Sequence, residues 1–259
     1  MHARDRSALQ ALQQKGIAIS IVTGRLYSGT RDIARSLAIR GPIACLEGSH
    51  IVRVADDHPM VARPLSRRSA AGLRQLLSED RPVVFVLALD GISYDMSGRH
   101  YLEYLKTWSR RVQLVGDVLE PEHWNAVATP TAAVVIGPEL HIRGLQQCIT
   151  RDSEPELQVA AFGLGPAGHQ GLWGMVVRQA GADKGTAVAW MARHYGVPQN
   201  AVVAVGDWLN DIPMLRAAGR SFAMAQAPSE VLASATDRLE SDALQGGGIA
   251  EAAERAGIL

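Results

Sequence analysis

The sequence predicts an α/β protein, a parallel sheet layered with helices and split by an inserted α+β domain. Three observations carry this. The first third alternates short apolar runs with amphipathic stretches, the rhythm that builds a helix-covered parallel sheet. From about residue 80 to residue 170 the strands lengthen and become richer in β-branched residues, with a different spacing of helices between them. Near Trp173 the first rhythm returns. The implied organisation is residues 1–79 and 171–259 for the core and 80–170 for the insert.

Each element has a local reason. Residues 7–14 read as a helix stopped by Gly16, and residues 17–22 as a strand ending in Thr23-Gly24-Arg25. Residues 30–39 are helical, Gly41-Pro42 turns, and 43–46 form a further short strand. A hairpin over 51–65 turns at Asp56-Asp57, followed by a helix over 66–77. In the insert, strands are expected over 83–89, 132–136 and 157–162, with helices around 100–108 and 140–150. Asp183 caps a helix running to Tyr195, which Gly196 closes. The apolar run 201–205 is a buried strand broken by Gly206, and Pro213 suits the first turn of the next helix. A strand over 221–225, a helix after Pro228 and a last helix over 249–255 complete the chain.

Composition excludes several classes of function. With 259 residues, 47% hydrophobic and 20% charged, the chain has ample material for a packed core. Its 26 basic and 26 acidic residues cancel, so no electrostatic footprint marks a nucleic acid or an anionic membrane as partner. No apolar run is long enough to cross a bilayer, the start lacks the apolar stretch of a signal peptide, and a cytoplasmic location is the expectation. Cys45 and Cys148 stand alone and read as reduced thiols; the eight histidines show no zinc spacing. Lysine occurs only at Lys15, Lys106 and Lys184 against 23 arginines, so Lys184 stands out from the filler charge.

The richest stretch for chemistry is Ala204-Val-Gly-Asp-Trp-Leu-Asn-Asp-Ile-Pro-Met-Leu215. It sets Asp207 and Asp211 four residues apart just beyond a strand, where α/β sheets bind ligands. Hard carboxylate oxygens favour magnesium over zinc, which suggests a metal-assisted site for an anionic substrate. Plainer readings stand beside this one. Thr23, Asp207 and Asp211 suit turns and helix caps, and an exposed lysine is the norm.

Ile21-Val-Thr-Gly-Arg25, Gly181-Ala-Asp-Lys-Gly185 and Gly206-Asp-Trp-Leu-Asn-Asp211, in this order, resemble the haloacid dehalogenase superfamily and its Cof-like sugar-phosphatase branch. Leu46-Glu-Gly-Ser49 and Ala223-Met-Ala-Gln-Ala-Pro228 extend the resemblance over nearly the whole chain. It implies a Rossmann-like core with an α+β cap, and magnesium-dependent hydrolysis of a small phosphorylated metabolite such as a sugar phosphate. By this resemblance Thr23, the Gly24 amide and Asn210 contact the phosphoryl group. Lys184 neutralises it from a helix start, where the backbone already favours an anion. Asp207 holds Mg2+, and Asp211 supports either the ion or Lys184. The cap closes over the site and selects the substrate. Tyr94, Arg99 and His100 are candidates for that contact, or ordinary surface groups. No chemistry attaches to Trp208.

One departure is decisive for activity. The family's Asp-x-Asp-Gly-Thr motif, which supplies the nucleophile and the general acid/base, occurs nowhere in this sequence. Asp5 precedes a helix and reads as a cap. Val84-Phe-Val-Leu-Ala-Leu-Asp-Gly91 imitates the motif's strand, but Ala88 stands at the nucleophile position and the run belongs to the cap. Gly163-Leu-Gly-Pro-Ala-Gly168 formally fits a dinucleotide fingerprint, yet Pro166 opens no helix. The absent strand should lie between those ending at Val22 and Val205, leaving backbone groups unpaired at about 1–3 kcal/mol each. A strand upstream of Met1 is therefore expected, in preference to a degenerate relative that closes the gap otherwise. This chain is expected to be inactive. The alternatives are a non-catalytic phosphate-binding or regulatory relative, and a structural relic acting through protein contacts.

Overall fold

The computed structural model describes residues 1–89, 91–125, 130–152, 156–165 and 168–259. In chain order the elements begin with α1 (Ala3–Gln14), α2 (Tyr27–Ser36), β1 (Pro42–Cys45), β2 (His50–Arg53), β3 (His58–Ala62) and α3 (Arg67–Asp80). Then come β4 (Val83–Leu87), β5 (Ile92–Tyr94), α4 (Leu102–Lys106), β6 (Val112–Leu114), β7 (Ala132–Pro138), α5 (Glu139–Asp152), β8 (Leu157–Gly163) and β9 (Leu172–Gln179). The chain closes with α6 (Lys184–Tyr195), β10 (Val203–Gly206), α7 (Ile212–Ala217), β11 (Arg220–Ala223), α8 (Ser229–Leu232), β12 (Asp237–Arg238) and α9 (Gly248–Arg255). Contacts divide the chain into two compact units, Met1–Gly24 with Arg31–Met60 and Ala182–Leu259, and Arg25–Thr30 with Val61–Gly181.

The first unit holds two three-stranded sheets. One has the order β1-β2-β3, with β1 and β2 antiparallel; the other, β10-β11-β12, is parallel throughout. Residues 17–22, expected as a strand, do not form one. Gly16, at φ 78°, ends α1, and the Ile17 amide turns back to the Leu12 carbonyl. Beyond it the segment makes only a bridge from Val22 to Ala44, framed by the Ala44 amide on the Ile21 carbonyl and the Thr23 amide on the Ala44 carbonyl. Pairing on one side over so few residues builds no ladder. β10 likewise has β11 on one side and, among the described residues, no strand on the other. Both segments lie over one apolar cluster, in which Val22 packs with Val188, Ala204 and Leu215.

Helix ends here follow their local chemistry. The Asp183 carboxylate accepts from the Thr186 amide at 2.7 Å and the Thr186 hydroxyl receives the Asp183 amide at 3.0 Å, a reciprocal cap for α6. Gly196, at φ 65°, closes it. Asp5 corrects its expected role. It lies inside α1, 7% exposed, and its carboxylate accepts from the amides of Gly247, Ile249 and Ala250 at 2.8–3.1 Å. It caps the last helix of the chain instead of its own.

The second unit is one six-stranded sheet of order β6-β5-β4-β7-β9-β8, antiparallel except for β5 with β6. Along β4, β7 and β9 alternate side chains point to opposite faces. Val84, Val86, Ala133, Val135, Met175 and Val177 pack on Leu73 and Leu77 of α3 and on Ile142 and Ile149 of α5. On the other face Phe85 meets the rings of Tyr94 and Tyr101. This packing explains why the unit extends beyond the expected 80–170. The buried face of α3 belongs to this sheet, and β9 runs through its interior. The run 84–91 lies in this sheet through β4, with Asp90 outside the described residues. β8 and β9 are antiparallel neighbours, not a strand leading into a helix, and Pro166 falls outside the described residues.

Candidate functional site

The acidic turn forms at the end of β10. Gly206 must be glycine, since a Cβ there would stand 2.7 Å from the Asp211 Cβ. Asp211 is 5% exposed and holds the turn with one carboxylate oxygen, Oδ2, which accepts from the amides of Asp207 at 2.9 Å and Trp208 at 3.0 Å. Its other oxygen, Oδ1, accepts from Lys184 Nζ at 2.6 Å. Lys184 is the first residue of α6, and its side chain is 7% exposed, as is that of Asp211. Truncating one member of such a buried pair typically costs about 3–5 kcal/mol, because the other charge is left uncompensated.

A second loop converges on the same place. Thr23 and Gly24 follow the Val22 bridge, and the Thr23 carbonyl accepts the Glu47 amide at 3.0 Å. Leu46, Glu47 and Gly48 are successively left-handed, with φ of 47°, 57° and 96°. For Leu and Glu this conformation costs roughly 1–2 kcal/mol per residue. Gly48 permits the approach of this loop to α6, since a Cβ there would lie 2.8 Å from the Asp183 carbonyl. The strained loop delivers the Glu47 carboxylate into the site. Its Oε1 accepts from Asn210 Nδ2 at 2.8 Å, its Oε2 lies 4.0 Å from Lys184 Nζ, and a Cβ on Gly24 would run into Oε1.

The residues singled out from the sequence thus fall into two groups. Gly24, Lys184, Asn210 and Asp211 gather around Glu47 and the acidic turn. Asp207, at the exposed mouth of the turn, accepts from Gln226 Nε2 at 3.2 Å. Trp208 is 50% exposed beside it. Asp211 has both oxygens engaged, so its geometry serves Lys184 and the turn. Among the described residues no group of three or more His, Cys, Asp or Glu side chains is placed to hold a metal ion. Tyr94 is buried against Phe85, whereas Arg99 and His100 are exposed. Glu47 and Gln226 are two site residues that no sequence motif singles out. A carboxylate directly after a strand and before a glycine was the available signal for Glu47.

Strand-end carboxylates beside a buried lysine at a helix start are the arrangement with which parallel α/β sheets receive ligands. The sequence profile of the haloacid dehalogenase-like hydrolases matches residues 1–252, and the chain belongs to that family. Pyridoxal phosphate phosphatase YbhA of Escherichia coli (strain K12) is 26% identical over 235 residues, 88% of this chain and 82% of that protein. In fold the chain is similar to a haloacid dehalogenase-like hydrolase from Bacteroides thetaiotaomicron, with a TM-score of 0.83 at 20% identity, covering 98% of this chain and 92% of the other. It is also similar to a subclass IIB sugar phosphatase of the superfamily, with a TM-score of 0.76 at 19% identity, covering 100% and 93%. Among the described residues no helix is long and apolar enough to cross a membrane.

Proposed function

We propose that this is the phosphate-ester site of a magnesium-dependent phosphatase of small phosphorylated metabolites, and that the 259-residue polypeptide binds such an anion without hydrolysing it. One observation supports the reading above the others: the buried Lys184 ammonium at the start of α6, gathered with Asn210 and Gly24 at the end of a parallel sheet. Backbone amides and the dipole of a helix start favour an anion, and the ammonium adds a full charge. The name of the Escherichia coli relative, a pyridoxal phosphate phosphatase, supports a small phosphorylated substrate, with sugar phosphates as the other candidate class.

The donors fit magnesium in kind and are incomplete in number. Asp207 offers a hard carboxylate at the mouth of the site, and Mg2+ is commonly held by one or two carboxylates plus substrate phosphate. Bound there, the ion would offset phosphate charge. This chain's own residues bind and orient: Lys184 neutralises, Asn210 and the Gly24 amide donate, and Asp211 fixes Lys184. No Asp-x-Asp pair is present to attack phosphorus or to move the proton.

The test is turnover of pyridoxal phosphate and p-nitrophenyl phosphate with magnesium, alongside calorimetric binding of inorganic phosphate. We expect no turnover, and phosphate binding that Lys184→Met abolishes. Turnover that Asp207→Asn removes would refute the inactivity. Absence of phosphate binding would favour a structural relic.

A further inference from the structure

We infer that Glu47 is a built-in competitor for the anion cradle: its carboxylate engages the groups a phosphate would use, and so sets how tightly the site accepts an anion. The inference rests on the phosphate-site reading, and goes beyond it by assigning the residue that limits affinity.

Position comes first. Asn210 Nδ2 donates to Glu47 Oε1 at 2.8 Å, Lys184 Nζ lies 4.0 Å from Oε2, and Oε1 lies directly over Gly24. Two of the groups expected to meet a phosphoryl oxygen, Asn210 and Lys184, therefore already face a carboxylate oxygen, and that carboxylate fills the space beside the Gly24 Cα. Carboxylate and phosphate oxygens accept the same donors, so the two anions are mutually exclusive there.

Charge points the same way. Around the single ammonium of Lys184 stand the carboxylates of Asp211, at 2.6 Å, and Glu47. Asp211 already neutralises Lys184 through a contact of hydrogen-bond length. Glu47 places a second carboxylate beside that pair, and a phosphate dianion reaching Asn210 meets this like charge at close range. The Glu47 side chain is only 15% exposed, so water screens that repulsion poorly.

Backbone geometry fixes where the side chain starts. Two consecutive non-glycine residues, Leu46 and Glu47, are left-handed, and the Glu47 amide is fixed on the Thr23 carbonyl at 3.0 Å. The loop thus presents Glu47 at a conformational cost. Withdrawal of the side chain by rotation, with the loop unmoved, is the motion that would admit an anion.

The experiment is a calorimetric titration of inorganic phosphate into the full chain and into Glu47→Gln, Glu47→Asn and Lys184→Met, each checked for its melting transition. Asparagine tolerates the left-handed backbone better than glutamate, so Glu47→Asn guards against misfolding of the glutamine variant. Both neutral variants should bind phosphate about tenfold more tightly or better, since a close like charge has been removed. A purely structural Glu47 predicts the opposite sign. Binding that is unchanged or weaker in both variants, yet still lost in Lys184→Met, overturns the role of Glu47 and leaves the phosphate site standing. No binding by any chain, or equal binding by Lys184→Met, removes the phosphate site and this inference with it.

Discussion

In the six-stranded sheet, β7 has strands on both sides and is buried from Ala132 to Gly137. In the parallel sheet, β10 is paired on one side among the described residues, and Val203 and Val205 are only half-buried. One unit is held by its ladders. The other carries the candidate site, and there side chains do work that ladders do elsewhere: Lys184 on Asp211, Asn210 on Glu47, and Asp5 on the start of α9. A functional site placed where regular pairing stops depends on a few polar contacts for its shape, and those contacts are where it should break.

The largest effect should therefore come from the buried ion pair. Lys184→Met strands the Asp211 carboxylate and should lower unfolding stability by about 3–5 kcal/mol in urea denaturation. Adding Asp211→Asn should recover part of this, because the amide oxygen still accepts from Asp207 and Trp208 while the buried charge is gone. A single-variant loss below about 1 kcal/mol would mean that side chains do not hold this unit, and the contrast with the six-stranded sheet would fall.

A paired truncation sharpens the same contrast with a smaller signal. Val135 in β7 is fully buried within the α3 and α5 layer, whereas Val205 in β10 is partly buried against Phe222 and Leu239. Val135→Ala should cost about 2 kcal/mol, and Val205→Ala under about 1 kcal/mol, since less area leaves water and the site can relax. Equal losses would show that β10 is packed as tightly as a central strand.

Legibility in the sequence follows how local each cause is. The ends of α6 could be read because Asp183 and Gly196 act on the turn beside them. Residues 17–22 could not, because an apolar run becomes a strand only if partners reach it, and here the pairing stops at one bridge from Val22 to Ala44. The second unit takes in residues from Val61 because the partner of α3 is a sheet that follows it, a cause invisible in the local sequence. Asp207 and Asp211 look alike as letters, yet one is exposed and the other buried on Lys184. Asp5 hid its role most completely, since the helix it caps begins some 240 residues later. Glu47 was obscured by conformation: only Gly48 hints that three successive residues turn left-handed and carry the carboxylate inward.

The smallest expected effect lies at β12, on the far side of the parallel sheet. The Asp237 carboxylate accepts from Arg220 Nε at 3.1 Å and lies 3.2 Å from a guanidinium nitrogen of Arg255. The hydrogen bond from Arg220 holds its carboxyl below the usual range. A carboxyl whose folded pKa is depressed contributes its stability above the unfolded value, near 3.8, and loses it as the pH falls through the lower folded value. With side chains 41% and 23% exposed, the Arg220 pair is worth under about 1 kcal/mol. The native chain should therefore melt no more than about 3 °C above Asp237→Asn at pH 7, and the gap should close as the pH drops below about 4. The two carry the same hydrogen-bonding shape, so a gap that does not narrow at all as the pH falls below 3.8 would assign the role of Asp237 to packing, and a gap that never opens would leave β12 held by its ladder alone.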